Sequence, residues 1–145
     1  MDLQRFVSQA VAAVIVCVFA CNSPADTPQI RIALAVTGKN GDDARMVSAL
    51  SHEFRKLDGV SVTEAQPMLK IYCIIMHEIF ELRKGGELPI GYSASVVVTT
   101  VDGQFVNHVL LSDAKIDELA HDIAVDIDGS VIEKIRRSAQ PSSSP

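Results

Sequence analysis

The sequence contains no tryptophan, and all aromatic residues together make up only 5% of its 145 residues. Sites for single-stranded nucleic acids, and many for sugars, depend on flat side chains that stack on the ligand, so both kinds of site are disfavoured. The chain also lacks a basic run, because 13 lysines and arginines are outnumbered by 18 acidic residues, for a net charge of −5. Neutralising phosphates requires clustered basic side chains. We therefore expect no nucleic acid partner.

No uninterrupted apolar run is long enough to cross a membrane. The run at residues 10–20 (AVAAVIVCVFA) has 11 residues, whereas a spanning helix needs about 20. Such a short run near the amino terminus is typical of a secretory signal peptide. Ala20 and Cys21 end it in a way that resembles the cleavage box of bacterial lipoproteins, in which the cysteine is lipidated and becomes the first mature residue. We predict a signal peptide of this type over residues 1–21, with the lipid on Cys21.

Export predicts a location in the periplasm or at a membrane surface, with membrane contact through the lipid on Cys21. Cleavage without a lipid, after Ala20 or after Ala25, is an alternative, and so is a buried amino-terminal helix. Only three cysteines are present. With Cys17 in the signal and Cys21 lipidated, Cys73 is a lone thiol and the core must supply the stability without a disulfide. A Cys21–Cys73 bridge is conceivable only if Cys21 is unmodified and retained.

Composition shifts divide the rest of the chain. Residues 22–28 (NSPADTP) are rich in proline, serine and aspartate and predict a linker. Residues 138–145 (SAQPSSSP) have nothing to bury and predict a disordered tail. One α/β domain is expected between them, over residues 29–137. No internal repeat is visible.

Hydrophobic periodicity predicts the elements of this domain. Alternation of period two indicates strands at residues 30–37, 60–63, 68–80, 92–101 and 104–111, the last two joined by a turn at Asp102-Gly103. Helical spacing indicates one helix capped by Asn40 or Asp42 and a second beginning near Ser112 or Asp113. The predicted apolar stripes are Val47, Leu50, Phe54 and Leu57 in the first helix, and Ile116, Leu119, Ala120, Ile123, Ile127, Val131 and Ile135 in the second.

The predicted fold class is α+β, with a mixed sheet of four to five strands in the order β-α-β-β-β-β-α and two helices packed on one face. Both faces of the strand at residues 68–80 are partly apolar, which predicts a central strand or a second covering surface. Residues 92–101 (YSASVVVTTV) are uncharged and β-branched, so that strand must be central, covered, or paired with a partner. Gly129 predicts a kink or a close contact in the last helix.

The order of these elements resembles that of a small domain of bacterial envelope proteins. The stretches that carry the likeness are Ile30–Val36, Phe54–Leu57, Val60–Val62, Leu69–Ile75 and the strand pair around Asp102-Gly103. The group includes the amino-terminal domain of TolB, the curli-secretion lipoprotein CsgG and the penicillin-binding-protein activator LpoB. The resemblance implies a non-enzymatic envelope domain that works by contacting other proteins. It transfers no functional residues.

Motifs for catalysis and for metals are incomplete. The loop at residues 38–41 (GKNG) lacks the spacing of a phosphate-binding loop and precedes two aspartates, which favours a plain turn. His52-Glu53 and His77-Glu78 are each half of a zinc-protease motif, but neither has a second histidine four positions later. We therefore predict no metal and no cofactor.

Two alternative functions depend on side chains that the sequence alone cannot place. Cys73, His77 and His108 would form the site of a small periplasmic hydrolase, although Cys73 and His77 lie about 13 Å apart if their strand is regular. Asp117 and His121, one helical turn apart, would serve a metal or small-ligand carrier. We favour a non-catalytic adaptor that binds an envelope protein through a sheet edge or through the acidic last helix.

Overall fold

The alternating apolar residues of the first predicted strand form β1 in the computed structural model, which describes residues 29–81 and 85–139. The strands are β1 (Ile30–Thr37), β2 (Val60–Val62), β3 (Leu69–Glu81), β4 (Glu87–Thr100) and β5 (Phe105–Asp113). The helices are α1 (Asp42–Arg55), α2 (Ile116–Ile127) and α3 (Glu133–Ala139), with a π-helical turn (Asp128–Ile132) between α2 and α3. This order confirms the predicted fold class.

The five strands form one mixed sheet in the order β2-β1-β3-β4-β5. β1 runs parallel to both of its neighbours, and the β3–β4 and β4–β5 pairs are antiparallel. The strand at residues 92–101 is therefore central, as one of the three readings predicted, because β4 lies between β3 and β5. The sheet edges are the three-residue β2 and the nine-residue β5.

The core lies between one face of the sheet and the helices. In the middle of the sheet, the residues of β3 and β4 that point to this side are buried, and the register sets Cys73 opposite Val96 and Ile71 opposite Val98. Each fully buried aliphatic side chain contributes about 1.5–3 kcal/mol relative to an exposed one. The largest such side chains are Ile30, Ile32, Met46, Leu50, Phe54, Ile71, Ile116, Leu119, Ile123, Ile127 and Ile132.

The other face of the sheet is open. Tyr72, Ile74 and Met76 project from it, and each is about half exposed. Among residues 29–81 and 85–139, no helix packs on this side. The apolar character that the sequence shows on both sides of β3 therefore corresponds to one buried face and one exposed face.

The β3–β4 hairpin is longer than predicted. The sequence predicts that the first of these strands ends at residue 80 and the second begins at residue 92, but β4 already begins at Glu87 and pairs with β3 as far as Glu81. The pairing shifts register between Glu78 and Ile79, and Ile79 is exposed rather than part of the core face. The hairpin extends past the end of β1, whose last partner on β3 is Ile74, so its outer part forms a two-stranded arm.

The helices differ from the sequence predictions at the start of α1, in its buried stripe and at the start of α2. The residue before α1 is Gly41 at φ 84°, no side chain caps the helix, and Met46 is buried while the predicted Val47 is exposed. The helix α2 begins at Ile116, three or four positions later than predicted, because β5 continues to Asp113. The irregularity expected at Gly129 is present as the π-helical turn.

The predicted signal peptide, the linker at residues 22–28 and residues 140–145 of the predicted tail lie outside the described residues. The helix α3 ends at Ala139, two positions beyond the predicted domain boundary at Arg137. Within residues 29–81 and 85–139, no helix is long and apolar enough to cross a membrane.

Candidate functional site

Cys73 is a core residue on the helix side of β3. Its side chain is 1% exposed, and its neighbour on β4 is Val96. Burial raises the pKa of the Cys73 thiol to about 11 because an apolar environment disfavours the thiolate. Nucleophilic cysteines have lowered pKa values and partial exposure, so the environment of Cys73 opposes reactivity.

The two histidines of the hydrolase alternative do not approach this thiol. His77 lies four residues further along β3, on the arm, and its ring stacks on Tyr92 with a centroid distance of 4.7 Å. His108 lies on β5 opposite Val97, so its side chain projects from the open face, whereas Cys73 faces the helices. The structure therefore separates the three side chains that this alternative requires.

The structure instead pairs His108 with a residue that the sequence analysis did not select. Ser95 Oγ lies 3.0 Å from His108 Nε2 on the open face of the sheet. The pair is a cross-strand diagonal, since Val97 is the direct partner of His108. A register-resolved strand pairing is needed to find such a contact, which explains why sequence spacing missed it. No third described side chain bonds to the His108 ring, so the elements of a catalytic triad are incomplete.

The acidic side chains of α2 face solvent beside α1. Asp117, Glu118, His121 and Asp122 border a shallow depression together with Glu53. His121 Nδ1 donates a hydrogen bond of 3.0 Å to Glu53 Oε2, which occupies the imidazole in a contact between helices. Across the described parts of the chain, no group of three or more histidine, cysteine, aspartate or glutamate side chains is placed to hold a metal ion.

The loop at residues 38–41 lines a groove of about 790 Å³ between β1 and the β3–β4 arm. Ile74, Met76 and Ile79 supply apolar walls, and Lys39 and Glu87 place opposite charges in the lining. Asp42 and Asp43 occupy the first turn of α1, where they already neutralise the positive helix end that a phosphate would need. The loop is therefore a turn, as the sequence predicts. It lies at one end of a groove that is lined by both apolar and charged side chains.

An exposed apolar area combines the open face with the edge strand β5. Phe105 and Leu110 on β5 are each 69% exposed, and Ile74 on β3 is 53% exposed. The opposite side of the molecule carries the acidic residues of α2, so apolar and acidic surfaces are segregated. Large exposed apolar patches commonly mark sites of interaction with proteins or membranes. The sequence signal for this surface is the apolar residues on the second face of β3.

Comparison with solved structures places this fold in a recognisable group. The minor lipoprotein of Acinetobacter baumannii matches with a TM-score of 0.52 over 70% of this chain and 94% of that chain, at 13% identity. A Xanthomonas campestris protein of the family DUF330 matches with a TM-score of 0.53 over 82% of this chain and 94% of that chain, at 10% identity.

TolB from Acinetobacter baumannii also matches, with a TM-score of 0.52 and 11% identity over 75% of this chain and 30% of that chain. The likeness to TolB therefore concerns a part of that protein. No family model and no curated protein matches the sequence of this chain. The resemblance inferred from element order is confirmed at the level of the fold, which this chain shares with a weakly similar group that includes TolB and bacterial lipoproteins.

Proposed function

We propose that the chain is a non-catalytic envelope lipoprotein or periplasmic protein that acts as a protein-binding adaptor. The observation that carries this proposal is the edge of β5, a strand of nine residues that, among residues 29–81 and 85–139, pairs on one side only, with β4. Soluble proteins usually protect such an edge with lysine, proline or a very short strand. β5 contains no proline and no lysine or arginine, and its only charged residue is Asp113 at its end.

An edge of this kind recognises an extended segment of another protein by strand addition. The backbone groups on the free side of β5 would hydrogen bond to the added strand, and alternate side chains would give specificity. Phe105 and Leu110 supply exposed apolar surface beside that edge. The short β2 at the other edge offers only three residues, so it supports strand addition less well.

The export part of the proposal rests on the sequence of residues 1–21 and on the lipoprotein neighbours. If Cys21 carries a lipid, the eight residues from Asn22 to Gln29 span at most about 28 Å when fully extended. The first strand would then be held within this distance of a membrane. Mass spectrometry of the mature amino terminus distinguishes a lipid on Cys21 from an unmodified start, and a retained residue 1 would contradict export.

Site-specific photocrosslinking in the source bacterium tests the adaptor function. A photoreactive residue at Val106, on the edge strand, is compared with one at Val125, which is exposed on α2. We expect a discrete protein adduct from Val106 alone. An adduct from Val125 alone would assign binding to the acidic helix, and the absence of adducts from both would contradict the adaptor function.

The identified partner is then purified and titrated against this chain by calorimetry. Val106→Lys places a charge of the kind that protects natural edge strands, so we expect it to weaken binding at least about tenfold. Val125→Lys is the matched control and should leave the affinity unchanged. Equal affinities for the two variants would contradict recognition through β5.

A further inference from the structure

The open side of β3 carries a row of five side chains with a cation at one end and a carboxylate at the other. The row is therefore complementary in charge to an identical row that runs in the opposite direction. From one end to the other its side chains are Lys70, Tyr72, Ile74, Met76 and Glu78. Ile74 is central, and the cation and the carboxylate each lie four positions from it, or about 13 Å along the strand. Within residues 29–81 and 85–139, neither charged side chain forms an ion pair.

We propose that a second copy of this chain packs on this open face and forms a two-fold symmetric dimer. The symmetry axis lies in the plane of the interface, crosses the strands, and passes through Ile74. Rotation about this axis reverses the direction of β3, so Lys70 of one copy meets Glu78 of the second copy, and Tyr72 meets Met76. Each such contact occurs twice, as an isologous interface requires.

The charges determine the direction of the axis. An axis parallel to the strands would place Lys70 against Lys70 and Glu78 against Glu78, and like charges facing each other across an interface are unfavourable. The residues that lie along the proposed axis are uncharged. They are Ile74 on β3, its partner Ser95 on β4, and Leu110 on β5, which is the partner of Ser95. Uncharged residues therefore meet at the centre, and opposite charges meet at the periphery.

The available area fits a weak dimer. β1 ends level with Ile74, and the rotation places it opposite no strand of the second copy, so the interface consists of β3 to β5. These three strands are about 14 Å wide at about 4.8 Å per strand, and the row from Lys70 to Glu78 is about 26 Å long. The planar area is about 370 Å² per copy, or about 750 Å² for both, which lies in the range of weak, transient contacts. A lipid surface fits less well, because Lys70 and Glu78 offset each other and leave this row without the net positive charge that anionic headgroups attract.

This dimer is independent of the adaptor function but is compatible with it. The strand order places Ile30 on β1, next to the β2 edge and three strands from β5. The axis crosses the strands, so both copies direct their β2 edges the same way. If Cys21 is anchored as proposed above, the linker permits an orientation in which both β5 edges point away from the membrane and are free for a partner.

The dimer is tested with variants in which one of the two charges is reversed or both are exchanged. Sedimentation equilibrium in density-matched detergent measures their association, using the protein as purified from cells. We expect the wild-type chain to dimerise. Lys70→Glu and Glu78→Lys should each raise the dimer dissociation constant at least about tenfold, and the double variant should restore it. Circular dichroism of each variant verifies that the fold is retained, since Lys70 and Glu78 are only half-buried.

A second pair of variants tests the centre of the interface. Ile74→Asp places a charge on the axis and should abolish dimerisation, whereas Val125→Asp, on the helix side and similarly exposed at 56% against 53%, should not. A wild-type monomer at all concentrations, single reversals without effect, or a double variant that fails to dimerise would each overturn the proposal. Binding of a monomer to anionic vesicles would assign the face to a lipid surface instead.

Discussion

His121 on α2 and Glu53 on α1 are joined by a hydrogen bond of 3.0 Å across 68 positions of sequence. The same carboxylate accepts a hydrogen bond from Nζ of Lys56, the residue that follows α1. Both hydrogen bonds lower the pKa of Glu53 from its ordinary value of 4.5, and the one from Lys56 has the larger effect. Glu53 therefore links a local ion pair to the packing of the two helices that cover the sheet.

Glu53→Gln is expected to destabilise the fold by about 0.5–1 kcal/mol at neutral pH, because exposed ion pairs contribute about this amount. The lowered pKa means that the folded state binds the proton more weakly than the unfolded state. The contribution of Glu53 is thus complete above pH 4.5 and is lost as the pH falls through the folded pKa. Urea unfolding at pH 7 and near pH 3 measures both effects.

Glu118→Gln is the matched control for this prediction. Glu118 on α2 pairs with Lys115, the residue before that helix, at 2.6 Å and also three positions apart, and among the described residues it forms no hydrogen bond or ion pair with α1. We expect the control to lose less stability than Glu53→Gln at neutral pH. Equal losses for the two variants would show that the bond between the helices contributes nothing.

Gly38→Ala is expected to destabilise the fold by about 1–3 kcal/mol, as overpacking commonly does. A Cβ atom at this position would lie 2.6 Å from Ile75 Cγ2 and 2.9 Å from the backbone nitrogen of Asp43. Gly129→Ala is the control, since no atom lies within 4 Å of its added Cβ and alanine favours helix by about 1 kcal/mol. Thermal unfolding should shift in opposite directions for the two variants. A stability equal to wild type in Gly38→Ala would contradict the close approach.

The sequence predicted the elements and their order because alternation and helical spacing are local signals. It identified the apolar stripe of the last helix and the irregularity near Gly129 for that reason. It misplaced the start of β4, because Glu87, Leu88 and Pro89 do not alternate strongly and their strand state depends on pairing with β3. The start of α2 was missed for the same reason, since pairing with β4 keeps β5 extended to Asp113.

The candidate surfaces were predicted less completely than the fold. Apolar residues on both faces of β3 predicted a central strand or a covered one, but local pattern does not reveal that the second face is open. Which strand forms the edge depends on topology, and the long free edge belongs to β5 rather than β4. The Ser95–His108 contact likewise depends on the register between strands.

Cys73 is expected to resist alkylation in the folded protein. Its pKa of about 11 against an ordinary 9.0 reduces the thiolate fraction about 100-fold at pH 8, and burial adds a steric barrier. Because the folded chain binds this proton more tightly, the associated stability is present below pH 9.0 and is lost as the pH rises toward 11. Peptide mass spectrometry after iodoacetamide treatment, with and without urea, measures the difference. Rapid native labelling of Cys73 would contradict the buried position.

Arg136→Ala is expected to destabilise the fold by about 1.5–3 kcal/mol, the usual contribution of hydrogen bonds to a charged group. Arg136 Nη1 donates to Asp128 Oδ1 at 2.9 Å, and Nη2 donates to the backbone oxygen of Asp58, which ties the last helix to the loop after α1. Arg137→Ala is the control, because Arg137 is exposed and, among the described residues, pairs only with Glu133 in its own helix. Urea unfolding should show a loss at least twice as large for Arg136→Ala. A comparable loss in both variants would mean that the chain end is held by the apolar packing of Val131 and Ile132 alone.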